Sequence, residues 1–229
     1  MMKKPLIIIT GPTASGKTAL SVELAKKIGG EIISADSMQV YRRMDIGTAK
    51  PTPEEMRGIP HHMLDVADPE EDFSVARYVE LAAPCVDDIL ARGKLPIVAG
   101  GTGLYLDSLL SGRTFAPFSP DGGLRARLEA RFDALGGEAM LGELAAADPE
   151  AAARLHPNDR KRIVRALEVF QQTGKTISQH NRETRALPLR YDALTLSLAF
   201  QRREDMWARI DRRVDEMMAA GLAEEVRAL

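Results

Sequence analysis

The sequence predicts an α/β protein: a doubly wound parallel sheet core interrupted by a mainly helical insertion domain. Three observations predict it. Short β-branched runs alternate with helical patterns up to Gly112, the Pro/Gly-rich stretch TFAPFSPDGG ends that alternation, and ALTLSLAF (193–200) looks like a return to the sheet after helical segments. Strands alternating with helices build parallel sheets whose ligands sit at the carboxyl ends of the strands. The expected division is 1–114 for the first part of the core, 115–191 for the insertion and 192–229 for the second part of the core.

The elements follow in order. PLIIIT is a short β-branched run, as expected of a buried parallel strand. Lys3 and Lys4 precede it as they would in a signal peptide. The apolar run stops after about five residues at Gly11-Pro12 with no cleavage-type region, so it reads as a first strand. In KTALSVELAKKIGG, Leu20, Leu24 and Ile28 fall at helical spacing and Gly29-Gly30 supplies the stop. EIISADS is a second strand, KLPIVAGGTG a third, and GLYLDSLLSG a helix. Beyond the break, LRARLEARFDALG, EAMLGELAAADPEAAARL and NDRKRIVRALEVFQQTG read as helices. The last has Asn158 or Asp159 as N-cap, Gly174 as stop, and Ile163, Leu167 and Phe170 facing the core. A long amphipathic helix, REDMWARIDRRVDEMMAAG, follows the returning strand, with Trp207 expected in the core.

Composition excludes several classes. With 229 residues, 45% hydrophobic and 28% charged, the chain has material for one or two packed domains and is too well mixed for disorder. No stretch approaches the roughly 20 apolar residues of a membrane span, so no membrane partner is expected. The single cysteine, Cys85, rules out an internal disulfide framework, suits a reducing cytoplasm and is expected to be a buried thiol. The net charge of −2 gives no sign of a nucleic-acid partner, but its distribution does. Residues 50–90 hold three cations against ten acids, a net of −7, whereas residues 151–190 hold nine cations against three acids, a net of +6. Charge alone leaves two readings of the second segment, an electropositive binding surface or a solvated helix face.

The sharpest motif is GPTASGKT, Gly11 to Thr18, between a predicted strand and a predicted helix. It matches the phosphate-binding P-loop in both pattern and context, so the sheet is expected to be a P-loop core. Gly11, Pro12, Thr13, Ala14, Ser15 and Gly16 form the loop, Lys17 neutralises phosphate, and Thr18 can hold Mg²⁺. A nucleotide hydrolase also needs a metal-holding Asp on a later strand. The third strand ends instead in Gly100, Gly101 and Thr102, which suits either close backbone approach to a ligand or a plain tight turn. Asp36, at the end of the second strand and expected beside the P-loop strand, can accept a proton or support the metal. It also reads as a turn or cap residue.

Together, GPTASGKT, ISADSMQVYRRMDIGTAKP, GIPHHMLDV, VAGGTGLYLDSLL, HPNDRKRIVRALEVFQQTGKT and RRVDEMMAAGLAEEV resemble the tRNA dimethylallyltransferases, over nearly the whole chain and in order. Members of that family continue beyond the point matching Leu229. The resemblance implies transfer of a dimethylallyl group from dimethylallyl pyrophosphate to N6 of an adenosine next to the tRNA anticodon, with release of pyrophosphate. It implies Mg²⁺ at Thr18, Lys17 on the diphosphate, Thr13 at the oxygen linking carbon to phosphorus, and Asp36 as general base. It further implies that Asp36, Ser37, Met38 and Gln39 line the base pocket, that Thr102 and Arg125 contact the tRNA, and that Lys161, Arg162, Ile163, Val164 and Arg165 form a tRNA-contacting segment. Arg209 and Arg213, four apart on the last long helix, could reach the pyrophosphate or serve as surface ion-pair partners. A cytoplasmic monomer is expected.

Two other functions stay open at this point. A small-molecule kinase of the shikimate or nucleoside type, binding ATP, shares the P-loop, an Asp on the second strand and a glycine pair on the third. A nucleotide-gated RNA-binding module predicts tRNA binding without turnover. His61 and His62 lack a Cys or acid cluster at ligand spacing, so they are expected to pack a turn rather than bind metal.

Overall fold

The computed structural model describes residues 3–112 and 122–229. The break TFAPFSPDGG, and with it the expected boundary after residue 114, lies almost wholly outside the described residues. The chain forms two compact units, one of Met1–Arg113 with Leu189–Leu229 and one of Thr114–Pro188.

The first unit is built on five strands: β1 (Lys4–Thr10), β2 (Glu31–Ser34), β3 (His61–His62), β4 (Pro96–Gly100) and β5 (Tyr191–Ser197). All pair in parallel, in the order β3-β2-β4-β1-β5. Its helices are α1 (Lys17–Ile28), α2 (Pro53–Met56), α3 (Val75–Ala91), α4 (Gly103–Ser111), α10 (Arg203–Ala219) and α11 (Leu222–Ala228). β1 lies between β4 and β5, with Ile7 opposite Ile97 and Leu194. Ile9, Ile32 and Ile97 pack with Val22 and Ala25 of α1. Ile8, Ile33 and Val98 point to the opposite face and are equally buried, so both faces are covered at β1, β2 and β4, whereas on the edge strand β5 Leu194 is exposed.

Several expectations are corrected by this arrangement. β2 is not adjacent to β1, because β4 lies between them. In α1 Ser21, Val22 and Ala25 are buried and Leu24 packs against the same core, while Leu20 and Ile28 are exposed. The acid-rich stretch 50–90 gave no expected helix, yet it holds α3, capped by Ser74 through the Arg77 amide. α3 buries Tyr78, Val79, Ala82, Ala83, Val86 and Ile89 at helical spacing and keeps Pro84 on its exposed side. Cys85 is half-buried rather than buried; burial raises its thiol pKa, and its Sγ donates to the Leu81 carbonyl. Trp207 is 51% exposed, with Arg203 over its ring, and is not a core residue.

The second unit holds α5 (Gly122–Leu135), α6 (Gly137–Ala147), α7 (Pro149–Ala152), α8 (Arg160–Thr173) and α9 (Ile177–Arg185). Its core joins Leu124, Leu128, Met140, Leu144, Ile163, Val164 and Leu167. The run 138–155, expected as one helix, is two. Proline disfavours helical backbone in the residue before it, so α6 stops and Asp148 caps α7 by accepting from the Ala151 amide at 3.1 Å. The other Asp148 oxygen accepts from the Ser178 amide at 3.0 Å and so ties α9 to this corner. Asp159, not Asn158, caps α8, and Gly174 ends it in a left-handed conformation. Phe170 is only half-buried.

Candidate functional site

The loop between β1 and α1 is built to meet an anion. Gly11 sits where a Cβ would lie 2.7 Å from the Leu198 carbonyl oxygen and 2.9 Å from the Leu198 Cβ, so no larger residue fits. Ala14 and Gly16 are both left-handed, with φ of 61° and 90°. The first turn of α1 has no side-chain cap, which leaves its amides to bind an external acceptor. Ser15 Oγ is buried without a partner in the same loop. Lys17 Nζ rests on the carbonyls of Gly11 and Pro12, at 3.0 and 2.8 Å. Burial pulls the Lys17 pKa below its ordinary value; Asp36 opposes that shift and Arg213 adds to it. Three charged groups from separate elements therefore share one field.

Asp36 follows β2 by two residues, in a turn. Its Oδ1 accepts from the amides of Met38 at 2.9 Å and Gln39 at 3.4 Å. It is therefore the turn cap of the alternative reading and, through Oδ2, a carboxylate near the cradle. The glycines of the third predicted strand, here β4, serve this turn. A Cβ on Gly100 would lie 2.1 Å from the Ala35 carbonyl oxygen, so Gly100 is needed for close approach to the chain just before Asp36 rather than to a ligand. The Thr102 amide donates to that carbonyl at 3.1 Å, and Thr102 Oγ1 accepts from the Ser37 amide at 3.0 Å. Gly101 faces the loop: its Cβ position is 3.8 Å from the Gly11 oxygen and 4.0 Å from Lys17 Nζ.

Lys17, Thr18, Ser34, Asp36, Gln39, Pro51, His61, Leu64 and Gly100 are among the residues lining a small open cleft at the carboxyl edge of the sheet. Gln39 lines this cleft, and its side-chain amide is held by the chain itself. Its Oε1 accepts from Ser34 Oγ at 3.1 Å and its Nε2 donates to the carbonyls of Thr48 and Ala49 at 3.3 and 3.1 Å, so it braces the loop. Met38 is exposed. His61 was missed as a cleft residue. It lies on the edge strand β3 with Nδ1 against the Ile59 carbonyl at 2.8 Å, a geometry that puts the proton on Nδ1. Burial lowers its pKa, and Nε2 is left as a buried acceptor without a partner. His62 pairs instead with the buried Glu31, which also meets Arg92 and Lys94. No group of three or more His, Cys, Asp or Glu side chains that could hold a metal exists among the described residues.

Of the two arginines on α10, Arg213 is half-buried, acts on Lys17 and has no ion-pair partner among the described residues. Arg209 lies over the Phe200 ring at 5.7 Å. In the helical unit, Arg125 pairs with Glu129 at 3.4 Å, Arg162 with Asp159 at 3.1 Å and Arg165 with the buried Glu168 at 2.8 Å. Lys161 is exposed. Ile163 and Val164 are 0% and 1% exposed, so the expectation that they contact tRNA is corrected: their side chains belong to the core of that unit. The alternation of one helix face between core and cation leaves Lys161, Arg162 and Arg165 to the outside.

The IPP transferase family model matches residues 39–229, and an isopentenyl transferase model matches residues 4–71. The chain belongs to the IPP transferase family. It is 52% identical over 228 residues to the tRNA dimethylallyltransferase of Symbiobacterium thermophilum, covering 100% of this chain and 71% of that relative. Among solved structures it resembles a tRNA delta(2)-isopentenylpyrophosphate transferase from Staphylococcus epidermidis, with a TM-score of 0.65 and 44% identity over 99% of this chain and 73% of the other. It also resembles a eukaryotic dimethylallyltransferase acting on tRNA, with a TM-score of 0.80 and 34% identity over 98% of this chain and 55% of the other. Family membership removes the small-molecule kinase reading. No helix among the described residues is long and apolar enough to cross a membrane.

Proposed function

We propose that this chain transfers the dimethylallyl group of dimethylallyl pyrophosphate to N6 of an adenosine beside a tRNA anticodon. The observation that carries this reading is one cleft that joins a phosphate cradle to Asp36, on a sheet whose β4 ends in Gly100, Gly101 and Thr102 rather than in a metal-holding acid. In the step proposed, the carbon–oxygen bond of the donor breaks and its electron pair leaves with pyrophosphate. The N6 lone pair forms the new carbon–nitrogen bond, and the N6 proton passes to Asp36. N6 is a poor nucleophile because its lone pair is delocalised into the ring, so removal of that proton as the bond forms is where a carboxylate helps. Charge developing on pyrophosphate meets the loop amides, Lys17 and Arg213, the electrostatic contribution that usually dominates catalysis.

Thr13 and Thr18 are exposed and neither hydroxyl is hydrogen-bonded among the described residues, which suits them to the linking oxygen and to a Mg²⁺ ion respectively. A single protein oxygen suits Mg²⁺, which keeps waters and substrate phosphates as its remaining ligands. Bound there, the ion would neutralise diphosphate charge. We read the sheet unit as a P-loop core and the helical unit as an insertion, which would hold tRNA phosphates through Arg125, Lys161, Arg162 and Arg165. The adenosine must leave its stack to reach Asp36, as in other base-modifying enzymes. The reaction would run in the cytoplasm, on a monomer. The test is to incubate the chain with tRNA, dimethylallyl pyrophosphate and Mg²⁺, digest to nucleosides and analyse by mass spectrometry. Isopentenyladenosine is the expected product. Tight tRNA binding with unmodified adenosine would overturn the proposal in favour of a binding module.

A further inference from the structure

We infer that Glu225, on α11, is a positioning residue for the turn that carries Asp36. The inference rests on the transferase reading above and extends it to a residue far along the chain. Glu225 Oε2 accepts from the amides of Asp45 and Ile46 at 2.8 and 2.7 Å, and Oε1 accepts from the Gly47 amide at 2.9 Å. One carboxylate thus closes three consecutive amides of the loop that follows the Asp36 turn. Burial alone would raise its pKa, but the three amides and nearby Lys50 hold it below the ordinary value, so it stays ionised at neutral pH. The next two residues, Thr48 and Ala49, give their carbonyls to the Gln39 amide group, and the Gln39 backbone N–H donates to Asp36 Oδ1. Three sets of hydrogen bonds, joined by the backbone of residues 47–49 and by Gln39 itself, therefore link Glu225 to Asp36.

Two further features describe how the loop is held. Lys50, its side chain only 6% exposed, ties the same loop to Tyr41 O, Asp45 Oδ1 and Asp65 Oδ1 at 2.8, 2.5 and 2.6 Å, so the loop is held at both ends. α11 meets the loop through the Glu225 carboxylate and the half-buried Leu222, and none of its residues is fully buried. Gly47 makes the approach possible, because a Cβ there would already lie 3.0 Å from Leu222 Cδ1. A base must be held within about 0.5 Å of its working position. Loosening the 45–47 loop frees the Gln39 brace and lets the Asp36 turn drift.

The test compares the parent chain with Glu225→Ala and Glu225→Gln. Three quantities are read: amide hydrogen exchange, pyrophosphate affinity and single-turnover transfer to tRNA. Glu225→Ala is expected to speed exchange at residues 45–47 and also at Met38 and Gln39. It should slow transfer by about tenfold or more, since a misplacement of 1 Å can cost about a hundredfold, with pyrophosphate affinity within about twofold. Glu225→Gln keeps one acceptor oxygen and should fall between. Unchanged exchange at Met38 and Gln39, whatever happens at 45–47, would overturn the inference and leave Glu225 as an anchor of α11. Parallel loss of pyrophosphate binding would overturn it too, by showing general loosening of the core. If the parent itself transfers nothing, the function reading fails alone, and exchange at Met38 and Gln39 still decides the coupling.

Discussion

Replacing Asp36 by Asn separates the two roles that the structure gives this residue. Oδ1 caps the turn by accepting from Met38 and Gln39 at 2.9 and 3.4 Å, and an Asn side chain can keep an oxygen in that place. What Asn cannot do is take a proton. General-base loss costs about 10²–10⁴ in rate, roughly 3–5 kcal/mol of transition-state stabilisation. If Asp36 were a cap alone, Asn would be nearly silent, whereas Ala would lose one good and one long hydrogen bond, about 1–2 kcal/mol of stability. The base reading therefore expects Asp36→Asn to fold with near-parental stability and to turn over about a hundredfold more slowly or worse. Diphosphate affinity should hold or rise, because the substitution removes a negative charge that acts on Lys17. A single-turnover assay at saturating tRNA, with pyrophosphate titrated separately by calorimetry, measures both. Turnover within about threefold of the parent, against the range above, would refute the reasoning and send the search for a base elsewhere in the cleft.

Removing a cation from the cradle should act on affinity instead. Lys17→Ala is expected to weaken pyrophosphate by about ten- to a hundredfold and Arg213→Ala by about tenfold, while Arg209→Ala, whose guanidinium lies over Phe200, changes it little; calorimetry checks all three. In the helical unit, Lys161→Ala should reduce the salt slope of tRNA binding by about 0.9 with thermal stability unchanged. Arg165→Ala should lower stability as well, by about 1–3 kcal/mol, because it strips the partner from the buried Glu168. Glu31 is held well below the ordinary carboxylate range, chiefly by Arg92 and then by Lys94 and His62. Since its folded pKa is depressed, its stabilisation is present above the unfolded value of 4.5 and is lost as pH falls below it. Thermal melts should show the parent losing stability steeply on acidification, and Glu31→Gln less stable by about 2–4 kcal/mol at neutral pH but flatter in acid.

The sequence by itself determined what rests on neighbours along the chain. A β-branched run, a glycine loop and a helix with lysine at its first position are enough to specify a phosphate cradle, because the anion is bound by amides and one cation within eight residues. Most of the longer helices are legible for the same local reason, as are the Gly174 stop and the Asn158-Asp159 pair from which the structure selects Asp159 as cap. The division at Asp148-Pro149 is local too, since a capping acid followed by proline marks a helix start. α3 carries its apolar stripe in the sequence, Tyr78, Val79, Ala82, Val86 and Ile89, but Pro84 and the acids between them mask it as a helix signal.

Tertiary structure decided everything that rests on strand order and on side chains arriving from afar. Nothing local says that β4 comes between β2 and β1, and that adjacency makes Gly100 a neighbour of Ala35 and Thr102 a partner of Ser37. The same distance barrier concealed Gln39 as a brace, His61 as a wall of the cleft and Arg213 as the arginine that reaches the field of Lys17. It also concealed the fate of Ile163 and Val164, since a side chain one residue away from a cation points into a core only when other helices supply that core. Glu225 is the extreme case: its three amide partners lie about 180 residues earlier in the chain, beyond the reach of any periodicity or spacing rule, because their hydrogen bonds exist only once the sheet has brought both ends of the unit together.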